Sequence, residues 1–159
     1  MKVIDILNNT DKPVFSFELV PPLKGGDINK IYEAIEPLIA LAPPFINITF
    51  HRDEVVYREY PDGTIKKVTV TKRPGSVALA AAIMRRYNVD MVPHIVCGGA
   101  TRHKIENELI DLNFLDIENV MALRGDPIPG ERFFTPEEGG HRYSCELVEQ
   151  ITRMNHGQY

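Results

Sequence analysis

The chain has 159 residues, 43% of them hydrophobic and 25% charged, with a formal net charge of -4, which fits one soluble domain with its own hydrophobic core. An acidic balance with scattered cations argues against a nucleic-acid partner, which usually takes a basic face. Neither a signal peptide nor a membrane span is expected, because Asp5 interrupts the apolar N-terminal stretch and the longest apolar run, Val77 to Met84, is too short for a bilayer.

A short amphipathic helix carrying Val3, Ile4, Ile6 and Leu7 opens the chain. A strand from Val14 to Val20 follows, ended by Pro21-Pro22 and the loop Lys24-Gly25-Gly26. Asp27 suits the N-cap of a helix whose Ile28, Ile31, Ile35, Leu38 and Ile39 share one face, with Pro37 expected to kink or shorten it. Phe45 to Phe50 is the second strand.

Residues 51–71 break this rhythm. Val55, Val56 and Tyr57 on one arm and Ile65, Val68 and Val70 on the other flank Pro61-Asp62-Gly63, the pattern of a β-hairpin inserted after the second strand. Lys66, Lys67, Lys72 and Arg73 are the one local concentration of positive charge and read as its solvated surface. Pro74, Gly75 and Ser76 then open a helix through Met84. The third strand runs from Met91 to Cys97, and Gly98-Gly99 leads into a helix from Thr101 to Leu112. The fourth strand, Asn119 to Leu123, ends in Arg124-Gly125-Asp126-Pro127, and a long Gly- and Pro-rich loop precedes a last helix near Ser144. Loops of that length in compact domains usually bind something or move. Cys97 and Cys145, far apart and without metal-ligand spacing, are expected as free thiols in a reducing cytoplasm.

Four consecutive strand–helix units imply a parallel sheet with helices outside. A small open sheet and half of an eight-unit barrel both satisfy that pattern. Strand alternation then sorts the side chains. Phe15, Phe17 and Leu19 face the helices, while Ser16 and Glu18 face the other way. Ile46, Ile48 and Phe50 oppose Asn47 and Thr49, and His94 alternates against Ile95 and Cys97. Polar groups thus gather at the carboxyl ends of the strands, where parallel α/β folds place their sites. Each has a plainer reading: Glu18 paired with a buried arginine, His94 satisfying a core hydrogen bond, Arg124 and Asp126 in a surface ion pair, and Gly98-Gly99 as a simple turn rather than an anion nest.

Three segments together resemble the methylenetetrahydrofolate reductase family: Phe15-Ser16-Phe17-Glu18-Leu19-Val20-Pro21-Pro22, Pro93-His94-Ile95-Val96-Cys97 and Ala122-Leu123-Arg124-Gly125-Asp126. The resemblance implies a (βα)8 TIM barrel, here about four βα units (a half barrel) spanning 1–159, with the 51–71 hairpin after strand 2. It implies FAD at the strand carboxyl ends, NADH or NADPH as co-substrate, and reduction of a folate substrate, 5,10-methylenetetrahydrofolate, to 5-methyltetrahydrofolate. By this match Glu18 is the general acid that protonates the folate nitrogen, a task for a carboxyl kept protonated by an apolar interior. Asp126 tunes the flavin and holds the pterin. Thr49, His94, Leu123, Arg124 and Gly125 contact the flavin or its phosphates, and Tyr143 and Ser144 lie against the cofactor. Leu19, the absence of an arginine after Pro22, and His51 depart from the family pattern. The family barrel has four further units, so the chain is expected to be a portion of a longer enzyme. Its uncovered edges are expected to drive homo-oligomerisation. The alternative is a non-catalytic half-barrel fragment that self-associates.

Overall fold

A computed structural model describes residues 1–159. Helix α1 (Val3–Asn8) is followed by β1 (Phe17–Leu19), α2 (Ile28–Ile39), β2 (Phe45–Ile48), β3 (Glu54–Glu59), β4 (Ile65–Val70), α3 (Ser76–Tyr87), β5 (Asp90–Val96), α4 (Arg102–Phe114), β6 (Met121–Leu123) and α5 (Ser144–Asn155). The parallel strands lie in the order β1-β2-β5-β6, while β3 and β4 form a separate antiparallel pair. Parallel neighbours need crossovers; α2 supplies one after β1, α3 precedes β5, and α4 links β5 to β6.

Local chemistry sets the element ends. Asp27 accepts from the Asn29 backbone N–H at 2.9 Å and so starts α2. Thr101 accepts from the Lys104 N–H at 3.2 Å and starts α4. Asn88, at φ 52°, closes α3 in the left-handed conformation that asparagine tolerates. Pro37 lies inside α2, and the helix runs only two residues past it, to Ile39. The carbonyl its missing N–H leaves free belongs to Glu33, which is exposed to water. Gly63, at φ 78°, makes the hairpin turn, and Asp62 accepts from the Thr64 N–H at 2.9 Å.

The first strand is shorter than its apolar alternation predicts. Residues 14–16 have no partner beside them, since β1 is bonded on one edge only and its ladder to β2 begins at Phe17. Phe15, expected under the helices, is 76% exposed.

The core is one layer between sheet and helices. Ile46 and Ile48 of β2 and Met91, Ile95 and Cys97 of β5 pack against Ile35 of α2, Leu79, Ala80 and Ile83 of α3, Ile105 and Leu112 of α4, and Leu147 of α5. Each fully buried isoleucine or leucine contributes about 1.5–3 kcal/mol. At the far end of β6, Asn119 accepts from the Val3 N–H and donates to the Met1 carbonyl, both at 2.8 Å, which fastens α1 below the sheet. No helix is long and apolar enough to cross a membrane.

The two thiols differ sharply. Cys97 is fully buried and burial pushes its thiol up, whereas Cys145 is exposed. A thiol-specific reagent is expected to titrate one cysteine in the native chain and two after denaturation. Two fast native equivalents would contradict this packing.

Candidate active site

The parallel register carries side-chain alternation across the sheet. Glu18 lies beside Asn47, Asn47 beside Val92, His94 beside Met121, and Val96 beside Leu123. Their neighbours Phe17, Leu19, Ile46, Ile48, Ile95 and Cys97 all pack toward the helices. One face therefore builds the core and leaves the other free for polar groups.

On that free face, Asn47 donates to Ser16 Oγ at 3.3 Å and to the Phe17 carbonyl at 3.4 Å. Thr49 donates through its hydroxyl to the Leu19 carbonyl at 3.3 Å, and its Oγ1 is 3.2 Å from His51 Nε2. His94 is buried, and its Nε2 is 3.6 Å from Glu18 Oε2 without a hydrogen-bond partner. Glu18 is thus not paired with an arginine, and His94 is not a satisfied core residue. Asn47 Oδ1 is also buried and unpartnered. Orphaned buried polar atoms are costly and mark positions where a ligand or water completes the bonding.

Backbone geometry shapes the rim. Cys97 N–H donates to the Leu123 carbonyl at 3.0 Å and Gly98 N–H to the Arg124 carbonyl at 3.1 Å, which extends the β5–β6 ladder past the strand ends. The Gly98 donor is therefore spent, and Gly98-Gly99 is a turn rather than an anion nest. Gly125 has φ 86°, and a Cβ there would stand 2.5 Å from Val96 Cγ1, so only glycine fits. Arg124 and Asp126 form no ion pair with each other or with any other group. The Arg124 guanidinium instead lies 5.3 Å from the Phe134 ring centre, and its Nε donates to the Gly125 carbonyl at 3.4 Å.

These residues surround two adjoining clefts at the carboxyl ends of the strands. The larger, about 760 Å³, holds Glu18, Thr49, His94, Leu123, Gly125 and Asp126. The other, about 490 Å³, holds Leu123, Arg124, Gly125, Asp126, Tyr143 and Ser144. Leu123, Gly125 and Asp126 line both. All nine residues singled out in the sequence therefore come together, although Glu18 sits on the outer strand β1 and Asp126 follows the other outer strand, β6.

The larger cleft also has a wall the sequence did not disclose: His51, Arg52, Lys72 and Arg73 at the base of the hairpin. Three contacts fix that base. Lys24 N–H donates to the Lys72 carbonyl at 2.7 Å, Lys72 pairs with Glu54, and Arg73 donates to the Pro21 carbonyl. The available signal was position, since loops leaving the carboxyl ends of parallel strands carry site residues. The long loop before α5 is held at its far end by His141, whose Nε2 meets Gln150 Oε1 while Gln150 donates to the Arg102 carbonyl at 3.0 Å.

Burial holds the His94 imidazole below its ordinary value of 6.5 and outweighs the opposing pull of Glu18. Burial and the nearby Arg73 charge do the same for His51. Both rings are neutral at pH 7. As pH falls below 6.5 the unfolded chain takes up protons that the folded chain resists, so both groups lower stability on the acid side and contribute no pH dependence above it. The melting temperature is expected to drop between about pH 7 and about pH 5.5, with a shallower slope in His94→Gln. A slope unchanged by the substitution would contradict the burial of a neutral ring.

A parallel sheet with helices on one face and a polar cleft at its strand carboxyl ends defines a small-molecule site of the α/β enzyme class. The chain belongs to the methylenetetrahydrofolate reductase family, whose model, Methylenetetrahydrofolate reductase, matches residues 2–159. It is 28% identical over 162 residues to Methylenetetrahydrofolate reductase (NADH) 1 of Arabidopsis thaliana, covering 100% of this chain and 24% of that protein. It is 24% identical over 141 residues to the 5,10-methylenetetrahydrofolate reductase of Pectobacterium carotovorum subsp. carotovorum, covering 87% of this chain and 39% of the relative. Against the Probable methylenetetrahydrofolate reductase (NADPH) of Caenorhabditis elegans the identity is 24% over 156 residues, covering 98% and 21%. The chain therefore spans about a fifth to two fifths of these relatives.

Proposed function

We propose that this segment forms the first half of a (βα)8 barrel that binds FAD and reduces 5,10-methylenetetrahydrofolate to 5-methyltetrahydrofolate with NADH or NADPH. The observation that carries the reading is the meeting of Glu18, the unpartnered His94 Nε2 and Asp126 in one cleft of a chain from this family. Strands β1 and β6 are each bonded on one edge only, which suits closure by further strands.

The residues present fit a flavin. A buried ring nitrogen and a buried amide oxygen lack partners on the free face, and Gly125 brings backbone against Val96 with no side chain between them and a ligand. FAD, when bound, supplies the hydride chemistry. Thr49, His94, Leu123 and Gly125 would hold its ring, Arg124 would face its phosphates, and Tyr143 and Ser144 would cover it from the start of α5. Glu18 would donate its proton to the ring nitrogen of the folate imidazolidine. The C–N bond then breaks with its electron pair on that nitrogen, leaving a methylene iminium ion to accept hydride. Asp126 would orient the pterin and place negative charge near the flavin.

Titration of the protein with FAD, followed by visible difference absorbance, tests the cofactor half of this reading. Saturable binding with a structured band is expected, weakened in His94→Ala. Absence of saturation in the full-length protein would sink it.

A second reading, a non-catalytic half barrel that self-associates in the cytoplasm, is favoured by Met121 and Leu123, which are partly exposed on the outer strand β6. Sedimentation of the 159-residue chain at micromolar concentration is expected to show a homo-oligomer.

A further inference from the structure

We propose that the base of the β3–β4 hairpin is an anion-binding wall, in which the Arg52 guanidinium, seconded by Lys72 and Arg73, grips a phosphate or carboxylate of the ligand in the larger cleft. This rests on the proposed folate reduction and names the group that orients its ligand.

The hairpin's cations divide into two sets. Lys66 lies 5.1 Å from the Tyr60 ring centre, and it and Lys67 are solvated on the arms. Arg52, Lys72 and Arg73 instead line the cleft. Lys72 is neutralised by Glu54, and Arg73 is engaged by the Pro21 carbonyl. Arg52 has neither an acid within ion-pair distance nor a carbonyl acceptor.

Its position is built nonetheless. Arg52 is half-buried, and its stem packs on the turn after β5: a Cβ on Gly99 would lie 3.4 Å from Arg52 Cβ, and one on Gly98 would lie 3.7 Å from Arg52 Nη1. A stem held this way spends little entropy when the planar fork engages two oxygens. The field also has one sign of vacancy. Away from the hairpin base the cleft offers no basic side chain: its other polar lining includes Glu18, Thr49, His94 and Asp126, and burial holds the His94 and His51 imidazoles below their ordinary value. The basic side chains that face this cleft, Arg52, Lys72 and Arg73, all stand at the hairpin base, so an anionic group of the ligand finds its partner there. Held there, its charged end stays clear of Glu18, so that its neutral end meets the acid.

Three anions satisfy this chemistry: the FAD diphosphate, the extra phosphate that separates NADPH from NADH, and the glutamate carboxylates of the folate. The test compares wild type, Arg52→Gln and Arg52→Lys in the full-length protein. The readouts are the FAD dissociation constant, KM for NADPH and NADH, and KM for mono- and polyglutamylated 5,10-methylenetetrahydrofolate. Arg52→Gln is expected to raise one of these constants about tenfold, with the effect shrinking at high salt, and Arg52→Lys, which keeps the charge without the fork, is expected to recover only part of it. Which constant moves identifies the source of the anion. All constants of Arg52→Gln within about twofold of wild type would overturn the proposal, and full recovery in Arg52→Lys would overturn the two-oxygen grip. A wild-type protein that binds FAD yet reduces no folate would instead refute the reaction, while the FAD constant still decides the role of Arg52.

Discussion

Glu18→Gln is expected to slow folate reduction by about 10²- to 10⁴-fold while leaving NAD(P)H oxidation by the flavin within a few-fold of wild type. The amide keeps the shape of the side chain and its place on the free face of β1, opposite Phe17 and Leu19. What it loses is the proton that must reach the folate nitrogen before the C–N bond can open. Hydride delivery to the flavin needs no such proton from Glu18, so the two half-reactions separate. His94 is the only cation-forming group within ion-pair distance of Glu18, at 3.6 Å, and burial keeps it neutral. The Glu18 side chain itself is 56% exposed, so the apolar enclosure expected around a proton donor is not formed by these residues alone. Steady-state assays with a substitute electron acceptor and with the folate distinguish the outcomes. Equal loss of both activities would assign Glu18 to cofactor binding rather than proton transfer.

The second large effect is on stability. Gly125→Ala is expected to cost about 2–5 kcal/mol, because it combines a left-handed backbone with steric overlap. At φ 86° any L side chain is strained, and its Cβ would lie 2.5 Å from Val96 Cγ1 on the neighbouring strand. Gly130→Ala is the internal control. Gly130 has φ 94° with nothing within 4 Å, so it pays the conformational term alone, about 1–2 kcal/mol. Denaturant unfolding of both variants measures the difference. Equal losses would mean that β5 and β6 do not approach as closely at Gly125 as this fold requires. A loss of the expected size is a large share of the roughly 5–15 kcal/mol that stabilises a domain of this kind.

The sequence made the frame of the molecule readable where the physics is local. Asp27 as N-cap, Pro61-Asp62-Gly63 as turn and the strand–helix alternation depend on neighbours within a few residues, and each is present. The polar alternation that exposes Glu18, Asn47 and His94 on one face is equally local, so the positions of the site residues were legible. Partner-dependent features were not. Val14 to Ser16 have strand-like alternation but no ladder, because the bonded pairing with β2 begins only at Phe17. Pro37 is tolerated because α2 ends within two residues and Glu33 is exposed. Lys72 and Arg73 look like solvated charge until the hairpin base folds back onto Pro21 and Lys24, a contact across about fifty positions of sequence. Phe134, under the Arg124 guanidinium, belongs to a loop whose path no periodicity encodes.

The central claim is that this cleft carries both halves of a folate reduction, with Glu18 acting only in the second. Anaerobic absorbance of the full-length, FAD-loaded protein tests it directly. NADH or NADPH is expected to bleach the flavin band, and 5,10-methylenetetrahydrofolate added afterwards to restore it with one equivalent of 5-methyltetrahydrofolate formed. A flavin that bleaches and is not restored by the folate would contradict the account.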